Sequence, residues 1–122
     1  MKSYNKIYAF FMKPDQVEIQ NHVLSLAVED YFGLYEIVWG MNEQWPELEE
    51  KKKIELARDA VKNLFQDELV QLYRLEVQGD EPRLIPSEEA SSVVYRTESW
   101  QPGDSYIGFA ATDKGEEAYF TK

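Results

Sequence analysis

Apolar residues return at spacings of three and four between residues 15 and 41 and again from 46 to 66, then switch to alternation near 69–77 and 106–111. Two helices, a third helix, a strand, a long connection and a second strand are the elements this pattern predicts. Pro14 and Asp15 suit the entry to a helix over 15–31, whose stripe is Val17, Val23, Leu24, Ala27, Val28 and Tyr31. Gly33 interrupts it. Leu34, Ile37, Val38 and Met41 resume the helical period, with Tyr35 and Trp39 one turn apart, giving a second helix or a kinked continuation that ends at Gly40-Met41-Asn42. Trp45-Pro46 opens the third helix, with proline where a missing N–H costs nothing. Glu47, Glu49 and Glu50 favour the dipole of its first turn, Glu47–Lys51 and Glu49–Lys53 stand four apart, and Ile54, Ala57, Ala60, Val61, Leu64 and Phe65 form its buried side.

After a turn at 66–68, residues 69–77 alternate as a half-buried strand with Val70, Leu72 and Tyr73 inward, and Gln78 to Pro82 end it. Ser87 to Tyr95 reads as a short helix capped by its serine, and 99–105 as a loop around Pro102-Gly103-Asp104. A strand at 106–111 is placed to pair antiparallel with 69–77, so the segment between them forms an elaborated wing. In Thr112-Asp113-Lys114-Gly115-Glu116-Glu117, Thr112 or Asp113 caps a last helix, Asp113 and Glu116 have the spacing of a reciprocal box, and the helix carries Tyr119 and Phe120 back to the core. Tyr4 to Met12 is a short strand or an extended arm. The expected class is mainly α with a small β-sheet (α+β): one domain over 1–122, with helices and a two- or three-stranded antiparallel sheet.

Helix, turn, helix, then Phe65-Gln66-Asp67-Glu68-Leu69-Val70-Gln71-Leu72-Tyr73-Arg74, a loop, and Phe109 to Tyr119 together resemble the winged-helix class over roughly residues 34–120. The resemblance implies a winged-helix-like scaffold and, for DNA-binding members, a third helix that enters the major groove. Two features depart from the pattern. Residue 68 is Glu where glycine often closes the corresponding helix, and Glu55 and Asp59 stand among Lys51, Lys52, Lys53, Arg58, Lys62 and Asn63. Fold alone carries no function across.

A chain of 122 residues with 43% hydrophobic residues can bury a core and folds as one domain. With no cysteine, disulfides, thiolate metal sites and cysteine nucleophiles are excluded, and with a single histidine, His22, a His-based zinc cluster cannot be assembled from one chain. No cofactor is expected. Ile7 to Met12 is too short an apolar run to cross a membrane, so a cytoplasmic protein with no membrane partner is expected. A net charge of −10 repels nucleic acid and anionic lipid and favours basic or neutral protein surfaces.

No Gly-x-Ser-x-Gly elbow, phosphate-binding glycine loop or EF-hand pattern occurs, and Glu29-Asp30 and Glu49-Glu50 are neighbours that point apart on a helix. The leading expectation is therefore a small acidic module, without catalytic apparatus, that binds another protein as an adaptor, inhibitor or immunity-type protein. Its candidate anchors are Trp100, Tyr95 and Trp45. A DNA-binding regulator using Lys51, Lys52, Arg58 and Lys62 on the 46–66 helix is the second reading, and an enzyme with an unrecognised site the third. A homodimer built with the N-terminal arm is compatible with the first two.

Overall fold

A computed structural model describes residues 15–79 and 81–121, so the strand or arm expected over Tyr4 to Met12 lies outside the described residues. Helix α1 (Gln16–Glu29) starts at Asp15, whose carboxylate accepts from the Glu18 amide (2.9 Å) while the Glu18 carboxylate reaches back to the Asp15 amide (3.4 Å). Strand β1 (Phe32–Gly33), α2 (Leu34–Gln44), α3 (Glu50–Gln66), β2 (Val70–Glu76), β3 (Arg83–Leu84) and α4 (Ser87–Tyr95) follow. A 3-10 turn (Thr97–Trp100), β4 (Ser105–Ala111) and α5 (Asp113–Phe120) complete the chain.

The protein is thus mixed α+β, as its alternating periods predict. Strands β2 and β4 pair antiparallel from Val70↔Ala111 to Glu76↔Ser105. Two strands of two residues each, β1 beside β4 and β3 beside β2, extend the expected two or three strands to four in the order β1-β4-β2-β3. Helix, strand, helix, helix, strand, wing and strand follow one another, with β1 laid on the outer side of β4. The core lies between helices and sheet, where Ile19, Val23, Leu34, Ile37, Val61, Leu72 and Phe109 are fully buried.

Several expectations are corrected in detail. Helix α3 begins at Glu50 rather than Pro46, because the Trp45 amide closes α2 on the Met41 carbonyl (2.8 Å) and the Leu48 amide then turns back to Trp45 (3.2 Å). Glu47 therefore precedes the helix, and Lys53, instead of meeting Glu49, is buried with its ammonium on Asn42 Oδ1 (2.8 Å). In α1 the buried side takes Ile19 and His22, leaving Val17 and Tyr31 exposed. His22 ties α1 to α2: its Nε2 stands 3.1 Å from the Ile37 carbonyl, which can only accept, so Nδ1 takes the Gln44 amide proton (3.2 Å). Pro86, not Ser87, occupies the N-cap of α4, and the expected loop begins with the 3-10 turn. Tyr73 points away from the helices, and Phe120 is exposed while Tyr119 packs on the core.

The corner at the end of α3 shows how the departure at residue 68 is accommodated. The Leu69 amide bonds the Leu64 carbonyl (2.9 Å) and the Glu68 amide the Phe65 carbonyl (3.0 Å), the paired bonds of a Schellman ending. That ending requires a left-handed residue, and Glu68 supplies it at φ 64°. Thr112 then fastens the last helix to this corner. Its hydroxyl donates to the Glu68 carbonyl (2.6 Å) and accepts from the Gly115 amide (3.0 Å), and its own amide donates to Leu69 (3.0 Å). Thr112, not Asp113, is thus the N-cap. A Cβ on Gly115 would collide with the Leu69 carbonyl, so the fourth residue of the Thr-Asp-Lys-Gly run has to be glycine.

Candidate functional site

Alternation along β2 and β4 sends side chains to two faces. Val70 and Leu72, opposite Ala111 and Phe109, face the helices and belong to or pack on the core cluster. Tyr73 and Leu75, opposite Gly108 and Tyr106, face the other way and lie outside that cluster. A strand apolar on both sides signals a second packed or docking face.

The second face is built around two glycines paired across β1 and β4, Gly33 and Gly108. A Cβ on Gly108 would run into the Leu75 side chain and stand 2.8 Å from the Phe32 carbonyl oxygen; its absence lets Leu75 lie flat over the sheet. The space above Gly33 is filled in the same way by the ring of Tyr35, which reaches there from the first turn of α2. Tyr35 meets Tyr106 edge-on (5.6 Å between centroids) and Trp39 one helical turn along (4.9 Å). On the other side of the glycine pair, Tyr31 meets Tyr73 edge-on (5.0 Å), and Tyr73 is paired in register with Leu84 of β3. The result is a strip made of two groups, Leu84, Tyr73 and Tyr31 in one and Tyr106, Tyr35 and Trp39 in the other. Trp39 and Leu84 each keep 55% of their surface exposed and Tyr31 keeps 44%.

Two phenols of the strip are held neutral beyond the usual range. Burial pushes the Tyr35 pKa up, with the Glu36 carboxylate and Tyr106 adding to it. Burial raises Tyr73 as well, assisted by its neighbour Tyr31. The Tyr73 hydroxyl donates to Gln71 Oε1 (3.0 Å), Glu36 accepts from the Gly33 amide (2.7 Å), and Asp30 accepts from the Tyr31 amide (2.7 Å). At the β3 end, Arg83 and Glu76 form an ion pair (3.5 Å). Chemically, this is a surface of π faces and edges with a few fixed hydroxyl groups.

The anchors expected from sequence stand elsewhere. Trp100 is corrected outright as an exposed anchor: only 6% of its surface is open, and its indole N–H donates to the Val94 carbonyl (2.7 Å), so the ring is spent on the core. Trp45 is half-buried, edge-on to His22 (5.9 Å). Tyr95 is exposed, with the Lys62 ammonium over its ring (5.8 Å). The basic residues of α3 are dispersed rather than gathered. Lys51 is exposed, Lys52 and Arg58 are half-buried, Lys62 is occupied by Tyr95, and α4 packs along the helix through Ala90, Val93 and Val94.

Tyr31, Tyr35, Trp39, Tyr73 and Tyr106 were visible in sequence only as aromatic bulk. The available signal was the apolar pair Tyr73 and Leu75 interleaved with Val70 and Leu72. An open groove of about 780 Å³ also lies at the α3 corner between Phe65, Glu68, Gln71 and Thr112. It lacks the apolar enclosure of a small-molecule site. Among the described residues, no group of three or more His, Asp or Glu could hold a metal ion, and no helix is long and apolar enough to cross a membrane. Comparison with known proteins finds no family model, no curated protein and no solved structure that matches the chain.

Proposed function

We propose that this chain is a non-enzymatic protein-binding module of the cytoplasm, working as an adaptor, inhibitor or immunity-type protein, and that it docks its partner on the aromatic face of its sheet. The observation that carries this reading is the gathering of two edge-packed aromatic groups on one face, Tyr31 with Tyr73 and Tyr35 with Tyr106 and Trp39. Five edge-packed aromatic rings and Leu84 share one face, with Trp39, Tyr31 and Leu84 open to solvent. Large exposed apolar patches are uncommon on monomers, and Trp and Tyr are the residues that most often dominate binding energy. The rings are already braced against each other, so little side-chain entropy is lost on docking.

The regulator reading has less support. A recognition helix needs its outer half free and its cations available to phosphate. Here α4 covers part of α3, Lys53 is buried on Asn42 and Lys62 lies over Tyr95.

The test recovers tagged wild type and Trp39→Ala from nuclease-treated lysate of the source cells. A stoichiometric protein that comes with wild type and is missing from the variant is the expected result. Equal recovery by both removes this face as the docking site, and a partner lost on nuclease treatment favours the regulator.

A further inference from the structure

We infer that the partner segment of this face is basic: an extended protein segment that sets Arg or Lys side chains on the exposed rings between apolar ones. The inference rests on the docking reading above and adds the charge of the partner. Its warrant is complementarity. From Asp15 to Glu50 the chain holds nine carboxylates and neither Lys nor Arg. That stretch supplies Tyr31, Tyr35 and Trp39, half the strip. Asp30 adjoins Tyr31 and accepts its amide proton, Glu36 stands close enough to Tyr35 to disfavour its ionisation, and Glu43 is exposed four residues beyond Trp39, on the same side of α2.

The cations of the surrounding sheet do not offset this. Arg83 is engaged with Glu76, and Arg74 lies on the opposite face, in register with Ile107. Among the described residues the charge around the rings is therefore negative and the rings add π density to it, so a cation gains from both. Arginine suits the site better than lysine, because its planar group stacks on Tyr and Trp while its edge pairs with carboxylates such as Asp30 or Glu43. An acidic or nucleic-acid partner meets repulsion on the same surface.

The experiment titrates the full chain, labelled for amide NMR, with a capped peptide of about nine residues alternating Arg and Leu, roughly 30 Å long when extended. The same peptide with Glu in place of Arg and a duplex DNA oligomer serve as the other arms. The expected result is binding of the Arg peptide with shifts concentrated on residues 30–43, 73–76, 84 and 106–108. Affinity should drop at least about tenfold in Trp39→Ala, fall in Asp30→Asn with Glu43→Gln, and weaken as salt shortens the screening length.

Trp39 is largely exposed, and the amide side chain introduced by Asp30→Asn still offers an acceptor to the Tyr31 amide, so these variants keep the fold. Equal binding of the Glu peptide at this face would overturn the basic partner while leaving the docking reading intact. Shifts spread over the acids of α4 and α5, indifference to Trp39→Ala, absence of Arg-peptide binding, or preferential binding of DNA would each overturn the inference.

Discussion

Replacing Glu68 with glycine removes a Cβ from the one non-glycine residue with positive φ among the described residues, at 64°. An L residue in the left-handed region is disfavoured by roughly 1–2 kcal/mol. Glycine relieves that but loses more backbone freedom on folding, which takes back about 0.5–1 kcal/mol. The substitution also removes an acid beside the negative end of α3, a further gain of about 0.3 kcal/mol. The net expectation is a stabilisation of about 1 kcal/mol, or a Tm increase of about 3–5 °C for a domain of this size.

Urea unfolding followed by tryptophan fluorescence measures it as a higher midpoint with unchanged slope. Glu68→Gln, which keeps the Cβ and loses only the charge, separates the two contributions. Glu68→Val should lower stability, because a β-branched side chain tolerates this conformation least. If the glycine variant is no more stable than the glutamine variant, the backbone at the corner is not strained as described and the Schellman assignment fails with it.

Four further outcomes are expected. Gly115→Ala should destabilise by about 2–3 kcal/mol in the same assay, since contact with the Leu69 carbonyl outweighs the gain of up to about 1 kcal/mol from alanine in a helix. Trp100→Phe should cost about 2–3 kcal/mol by losing the buried indole bond to Val94 and some volume, as measured by thermal melting. Trp39→Ala should lower stability by about 1 kcal/mol by circular dichroism, the Tyr35 contact being lost, while abolishing partner capture. Tyr35 and Tyr73 ionise later in the folded chain than the ordinary value of 10.0 at which they ionise when unfolded. Their contribution to stability is thus complete below about pH 10 and lost as pH rises through the folded-state value. Ultraviolet phenolate titration should show two late phenols, and Tyr35→Phe with Tyr73→Phe should flatten the loss of Tm above about pH 10.

How far the molecule was legible depended on whether the deciding contacts were local. Periodicity and capping chemistry were enough to find α1, α2, α3, β2, β4 and α5, because a helical stripe, the Pro14-Asp15 entry and a Thr112 or Asp113 cap are written within a few residues of where they act. The mixed α+β class and the β2–β4 pairing followed from the same local signals. Strand β1 was too short to announce itself. Its two residues pair only because α1 and α2 deliver them to β4.

The start of α3 was misplaced because Pro46 suits a first helical turn as well as the tight turn that the Trp45 carbonyl closes with Leu48. Trp100 looked exposed in a Pro-containing loop, and the carbonyl that claims its N–H is six residues away, in α4. By itself, then, the amino-acid order determined the longer elements, the acidic balance and the exclusion of cysteine chemistry. Only the tertiary structure decided which aromatics were consumed by the core and which were left on a surface. Register put Tyr73 and Tyr106 on one face, while the paired glycines let Tyr35 and Leu75 lie across it. Such a surface depends on residues far apart in the chain meeting at side-chain distances, which no local period encodes.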